Sequence, residues 1–115
     1  MRKIFEDLIF VGKIEKEFDA YGRKWLLATL TTEEQIDATA STGNLDTISR
    51  VNAIKMQILS KSLKSVDGHK FLDSGETLDL LSKIQYPLLN TLFNKYEELQ
   101  QDQDDALKNL DEIKN

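Results

Sequence analysis

The sequence predicts an α+β fold that is mostly α-helical, with an N-terminal β-hairpin followed by three to four helices, the last long and amphipathic. Three observations predict this class. Residues 8–30 contain two strand-like segments around a turn signal. From about residue 33, apolar residues recur at helical spacing behind capping residues. The last third of the chain carries a heptad repeat.

The predicted hairpin occupies residues 8–30. Residues 8–18 form its first strand, in which a period of two places Phe10, Gly12, Ile14, Lys16 and Phe18 on one face. Residues 19–22 predict a turn that ends on glycine. Residues 23–30 form the second strand, with Trp25 and Leu27 on one face. An isolated hairpin is marginal in water, so we expect it to pack on the helices or join strands of another chain.

The first predicted helix runs from about Glu33 to Ala40. Two overlapping capping boxes precede it, Thr31 with Glu34 and Thr32 with Gln35.

The two following helices are predicted from their apolar faces and their boundaries. One begins at Asp46 or Thr47 and ends near Ser65, before an Asp-Gly pair that stops it. Residues 69–73 are a predicted connecting loop with its apolar side chains turned inward. Residues 76–84 form a short helix that ends before the chain's single proline.

The last helix, from Pro87 towards Ile113, carries what we call the heptad seam. Its members are Leu89, Leu92, Tyr96, Leu99, Gln103, Ala106, Leu110 and Ile113, spaced three or four residues apart. A repeat of this kind keeps one stripe of a helix facing a partner. The candidate partner-binding or oligomerisation residues are Leu89, Leu92, Phe93, Tyr96, Leu99, Ala106, Leu110 and Ile113. Extra apolar neighbours in the first half predict packing within the domain, and the thinner second half predicts contact with a partner.

The domain organisation follows from the distribution of charge. Residues 97–115 hold seven acids and two lysines, and the other 96 residues hold 13 acids and 13 bases. We therefore predict one compact domain over residues 1–99 and an acidic helical extension over residues 100–115. The extension favours a basic or neutral protein partner over nucleic acid, because phosphate contacts need Lys and Arg. The alternative is that these acids only keep the segment soluble.

The residues that usually carry catalysis or bind metals are scarce. The chain has no cysteine and one histidine, His69, which we interpret as an exposed loop residue. Asp102, Asp104 and Asp105 lack the glycine and closing acid of a calcium loop. We expect no enzyme activity, metal or cofactor. The apolar run at 8–11 is too short for a signal peptide or a membrane span, so no membrane contact is expected.

The order of motifs resembles the small tail assembly chaperones of tailed bacteriophages, including the baseplate-hub assembly proteins. The segments that carry the resemblance are Thr32–Glu34 behind the hairpin, Arg50–Leu63, the turn Ser65–Gly68, and Pro87–Leu99 with its polar helical tail. The resemblance implies a non-enzymatic protein that acts in virion morphogenesis in the host cytoplasm. It implies tape measure or baseplate hub proteins as partners, and residues 88–99 as the packing and partner-binding region.

Two alternatives stay open beside this interpretation. One is a structural component of the tail or baseplate, retained in the virion, whose hairpin adds to a neighbour's sheet. The other is a small nucleic-acid-binding regulator in which Phe18, Tyr21 and Trp25 stack on bases. Acids interleave with the lysines of the hairpin and make nucleic acid the less favoured partner. We also expect a homo-oligomer, because an apolar seam is seldom left exposed.

Overall fold

The computed structural model describes residues 2–40, 42–43 and 46–114, and their side chains except those at 2, 5, 6 and 111–114. It confirms the α+β, mostly helical class with a long last helix. In chain order the elements are α1 (Arg2–Phe10), β1 (Glu15–Ala20), β2 (Arg23–Ala28), α2 (Thr32–Ala40), α3 (Thr47–Ser62), β3 (Leu63–Val66), β4 (His69–Lys70), α4 (Ser74–Lys83) and α5 (Tyr86–Lys114).

The four strands form one antiparallel sheet in the order β1-β2-β3-β4. Two tight turns join its two hairpins, Tyr21-Gly22 and Asp67-Gly68. All four of these residues have positive φ, 53° and 75° in the first turn and 51° and 83° in the second. Paired left-handed residues define the type I′ turn, whose twist matches that of the flanking strands. The predicted hairpin is therefore present over a shorter range, and a second hairpin extends it.

The predicted strand over residues 8–18 is wrong in its first part. Leu8, Ile9 and Phe10 belong to α1, and the strand begins only at Glu15. The helix ends at Phe10, and Gly12 in the turn that follows adopts a φ of +81° that residues with a side chain rarely tolerate. A run of four apolar residues fits a helix and a strand equally well, so periodicity could not decide between them.

The predicted helix ending near Ser65 is too long. The chain leaves the helix at Leu63, whose φ and ψ are extended, and residues Leu63–Val66 pair with β2 instead. The predicted loop at 69–73 begins with the short strand β4. Phe71 packs against the core as expected, but Leu72 is 88% exposed.

Local signals set the helix starts. The Thr31 backbone N–H donates to the Glu34 carboxylate at 2.9 Å, and the Glu34 N–H donates to Thr31 Oγ1 at 3.2 Å, which is the reciprocal capping box. Asp46 and Asp73 cap α3 and α4, each accepting a hydrogen bond from the backbone N–H three residues later. Hydrogen bonds from the Ser49 backbone and hydroxyl also lower the pKa of Asp46.

Asp67 fastens the second hairpin to the first. Its carboxylate accepts hydrogen bonds from the Lys24 backbone N–H at 2.7 Å and from the Arg23 guanidinium at 2.9 Å. Its own N–H donates to the Lys24 carbonyl. The Lys24 hydrogen bond, and then the Arg23 contact, lower the pKa of Asp67, because they favour the charged carboxylate.

The hydrophobic core lies between the sheet and helices α2 to α5. Trp25 and Leu27, which were predicted to share one face of the second strand, are both buried there. The other buried members are Ala38, Ile58, Leu59, Leu63, Leu81, Leu89, Leu92, Tyr96 and Leu99. The first half of α5 therefore supplies more of the core than any other element.

Candidate protein-binding surface

The first half of the heptad seam lies inside the protein. Leu89, Leu92, Tyr96 and Leu99 are buried, and Phe93 is half-buried against them. The Tyr96 hydroxyl accepts a hydrogen bond from Gln35 Nε2 at 2.8 Å, and burial raises its pKa. These side chains pack α5 against the chain's own core. They face α2, α3 and the sheet, so they are not exposed to a partner protein.

The polar member of the seam, Gln103, has a specific role. Its Nε2 donates to the Gly12 carbonyl at 3.0 Å. The preceding residue, Asp102, pairs with Lys16 of β1 at 3.0 Å. Together these contacts tie α5 to the start of the sheet and to the link between α1 and β1.

The described apolar residues in the second half of the seam are exposed. Ala106 lies at the surface and Leu110 is 47% exposed, while the side chain of Ile113 lies outside the described residues. Leu107, which is not a seam residue, lies on the side of the helix near Gly12. A Cβ placed on Gly12 would lie 3.0 Å from Leu107 Cδ2. The exposed end of α5 therefore runs beside the link that follows α1.

Helix α1 is the feature that the sequence analysis missed. Every side chain of this helix that the structure describes is exposed. They include large apolar groups, of which Phe10 is 64% exposed. A spacing of four residues between Ile4 and Leu8, and between Phe5 and Ile9, was the signal that could have identified an amphipathic helix.

The exposed apolar residues of α1 and of the α5 end lie on either side of the link at Gly12, which Leu107 and Gln103 approach, and we call them together the α1–α5 surface. Its residues are Ile4, Leu8, Ile9, Phe10, Val11, Leu107 and Leu110. A half-open cleft of about 580 Å³ lies between the end of α1 and the start of α2. Its lining includes Leu8, Phe10, Leu30, Thr32, Lys64 and Gln103. An apolar surface with an adjoining cleft is suited to receive apolar side chains of another polypeptide.

Charged groups surround this surface. Glu33 and Glu34 lie at the cleft, and Asp104 and Asp105 are exposed on α5. Lys13 also borders the cleft, with its ammonium 5.8 Å from the centre of the Phe10 ring. Lys108 is exposed on α5 as well, so Asp104, Asp105 and Lys108 together carry one net negative charge.

The aromatic residues proposed for base stacking are differently placed. Trp25 is 4% exposed and its indole N–H donates to the Ala20 carbonyl, so it cannot stack on a base. Phe18 is half-buried, with Lys95 over its ring. Tyr21 alone of the three is exposed, at the tip of the hairpin. The stacking platform expected by the nucleic-acid hypothesis is therefore incomplete.

The residues that commonly bind metals are dispersed in the part of the chain that the structure describes. Among those residues no group of three or more His, Cys, Asp or Glu side chains is placed to hold a metal ion. His69 is exposed on β4. Within the same described ranges, none of the helices is both long enough and apolar enough to span a bilayer.

The fold and surface define a small α+β protein whose most distinctive described feature is an exposed apolar region beside an acidic helix end. Comparison with protein-family models, with curated proteins and with solved structures found no match to this chain.

Proposed function

We propose that this chain is a non-enzymatic assembly chaperone or adaptor that binds apolar segments of other proteins on the α1–α5 surface. The observation that carries the proposal is the exposure of α1 together with Leu107 and Leu110 of α5. Soluble monomers seldom leave apolar patches of this kind uncovered unless they are interaction sites.

The partner is a helical segment with an apolar face and a basic or neutral remainder. Burial of apolar side chains on α1 and α5 supplies the affinity, because each buried Leu, Ile or Phe contributes about 1.5–3 kcal/mol. The exposed Asp104 and Asp105 favour encounter with Lys or Arg and disfavour acidic partners. Helix-in-groove binding of this type is a common mode of peptide recognition.

The setting we propose is tail morphogenesis of a tailed bacteriophage in the host cytoplasm, with tape measure or baseplate hub proteins as clients. The support for this setting is the order of motifs in the sequence. The exposed surface is what a holdase needs, since a client with long apolar helices aggregates unless its apolar faces are covered.

A structural subunit of the virion is the second candidate, and it requires strand addition by the hairpin. Strand β1 does lie at an edge of the sheet. Four of its six residues are charged, however, namely Glu15, Lys16, Glu17 and Asp19. Charged side chains on an edge strand are a common protection against pairing with another chain. The edge therefore favours the chaperone over the structural subunit.

The test is co-expression with the tape measure or hub proteins of the phage that encodes this chain. We expect the clients to be soluble with the native chain, and Leu8→Glu to lower their affinity at least about tenfold, because one leucine contact is lost and a charge is buried. Leu72→Glu is the matched control, since Leu72 is 88% exposed and lies outside the α1–α5 surface. Equal loss with both variants, or loss with neither, would contradict the proposed site.

Mass spectrometry of purified particles separates the two candidates. A chaperone is absent from mature particles, whereas a structural subunit is present in fixed copy number. Stoichiometric amounts of this chain in washed particles would refute the chaperone proposal.

A further inference from the structure

Helix α1 needs a cover that its own chain does not supply. The helix has nine residues, and all of its described side chains are exposed. Isolated helices shorter than about 12–15 residues are marginal in water, because few hydrogen bonds offset the cost of nucleation. Stable helical structure here therefore calls for packing of the apolar face against another surface.

The α1–α5 surface carries complementary charges at its two ends. Helix α1 begins with Arg2-Lys3 and carries Glu6-Asp7 one turn later, and the exposed part of α5 carries Asp104 and Asp105 with Lys108 one turn later. Among the described side chains, Lys3, Asp104 and Asp105 form no ion pair within the chain. Basic residues in a first turn are unfavourable to a helix, because they face its positive dipole end. Contact of these basic residues with acidic side chains of another molecule would offset that unfavourable interaction.

A two-fold axis brings the same patch of two copies together, so each α1 meets the α5 end of the other copy. The partner's basic first turn then lies at the acids, and its apolar residues lie at Leu107 and Leu110.

We propose that, in the absence of a client, a second copy of this chain covers the α1–α5 surface in a symmetric dimer. The inference rests on the proposed function in one respect: it makes self-association and client binding compete for the same surface. The dimer keeps the apolar residues from water until a client with a higher affinity displaces one copy.

The first experiment measures molar mass by light scattering during size-exclusion chromatography of the full chain alone. We expect twice the 13.2 kDa mass of one chain. Leu8→Glu should raise the dissociation constant of the dimer at least about tenfold. Leu72→Glu should leave it unchanged. A native chain that stays at 13.2 kDa at about 100 μM overturns the inference. A Leu8→Glu variant that remains fully dimeric also overturns it.

A charge exchange tests the arrangement of the two copies. Arg2→Glu with Lys3→Glu, or Asp104→Lys with Asp105→Lys, should each weaken the dimer severalfold, and a mixture of the two double variants should form heterodimers. The first pair places acids at a helix N-terminus, where they favour α1, so a weaker dimer reports lost contacts between copies. Absence of heterodimers in the mixture overturns the inference.

Failure of this inference is distinguishable from failure of the proposed function. A chain that is monomeric alone but keeps tape measure or hub proteins soluble refutes the dimer and leaves the chaperone in place. A chain that is dimeric through α1 but has no effect on those proteins refutes the chaperone and leaves the dimer in place. Addition of a bound client should convert the dimer to a complex that contains one copy of this chain.

Discussion

The two halves of the heptad seam should differ sharply in their contribution to stability. Leu99 is 2% exposed and packs in the core, whereas Leu110 is 47% exposed on the free end of α5. Leu99→Ala removes buried methyl groups and leaves a cavity, at a cost of about 2–5 kcal/mol. Leu110→Ala removes exposed methyl groups and should change stability by about 0.5 kcal/mol or less. The first change is a large part of the roughly 5–15 kcal/mol that stabilises a small domain.

Urea unfolding followed by tryptophan fluorescence measures both variants. Trp25 is the only tryptophan, and its burial within the core makes its emission sensitive to global unfolding. The measurement should be made at a protein concentration low enough to keep the chain monomeric. Equal destabilisation by Leu99→Ala and Leu110→Ala would refute the division of the seam into a core half and a surface half.

Two further predictions concern the turns that shape the sheet and its approach to α5. Asp67→Asn should lower stability near pH 7, because the lowered pKa of Asp67 shows that its charged form is favoured in the folded state. That advantage is complete above the ordinary pKa of 3.8 and is lost as the pH falls through the lower folded value, so thermal melts of the two proteins should converge in acid. Asn also tolerates the positive φ at this position, so the substitution tests the charge alone. Melting temperatures that fail to converge in acid would contradict the assigned cause. Gly12→Ala should destabilise the protein by about 1–2 kcal/mol in urea titration, because its φ is +81° and its new Cβ would meet Leu107. Unchanged stability would mean that the turn is free to adopt another conformation.

The parts of the fold that the sequence predicted correctly are those with a local cause. The Thr31–Glu34 capping box, the Asp46 cap and the long helix behind Pro87 each depend on residues within one or two turns. Such signals act in the same way whatever the rest of the chain does. Helix α5 continues through residues 100–105, where the Lys16–Asp102 ion pair helps to offset the poor helix propensity of Asp.

The incorrect predictions concern segments whose secondary structure depends on contacts with distant parts of the chain. The segment Leu63–Val66 continues the apolar spacing of α3 in the sequence. It forms a strand because it pairs with the edge of β2, where Leu26 lies opposite Ser65. The Asp67-Gly68 pair that follows is a strong hairpin signal, but it was interpreted as a helix stop alone. The lesson is specific: an Asp-Gly pair between short segments should be tested as a type I′ turn.

The candidate surface was only partly predictable for the same reason. The sequence placed the partner-binding end on the second half of the seam, and that end is exposed as expected. It did not place α1 there, because residues 8–11 were assigned to a strand. Whether an apolar helix is covered or exposed depends on the path of the chain after it, and here that path turns at Gly12.

Gln103 explains how one helix can serve both the core and an exposed surface. An apolar residue at position 103 would continue the apolar stripe of α5 and favour further packing of the helix against the core. The amide instead binds the Gly12 carbonyl, a backbone group in the link that would otherwise need water. Residues before Gln103 are thereby held in the core, and Leu107 is placed against the α1 link. The polar break in the heptad repeat is therefore the point at which α5 passes from stabilising its own domain to presenting an apolar surface.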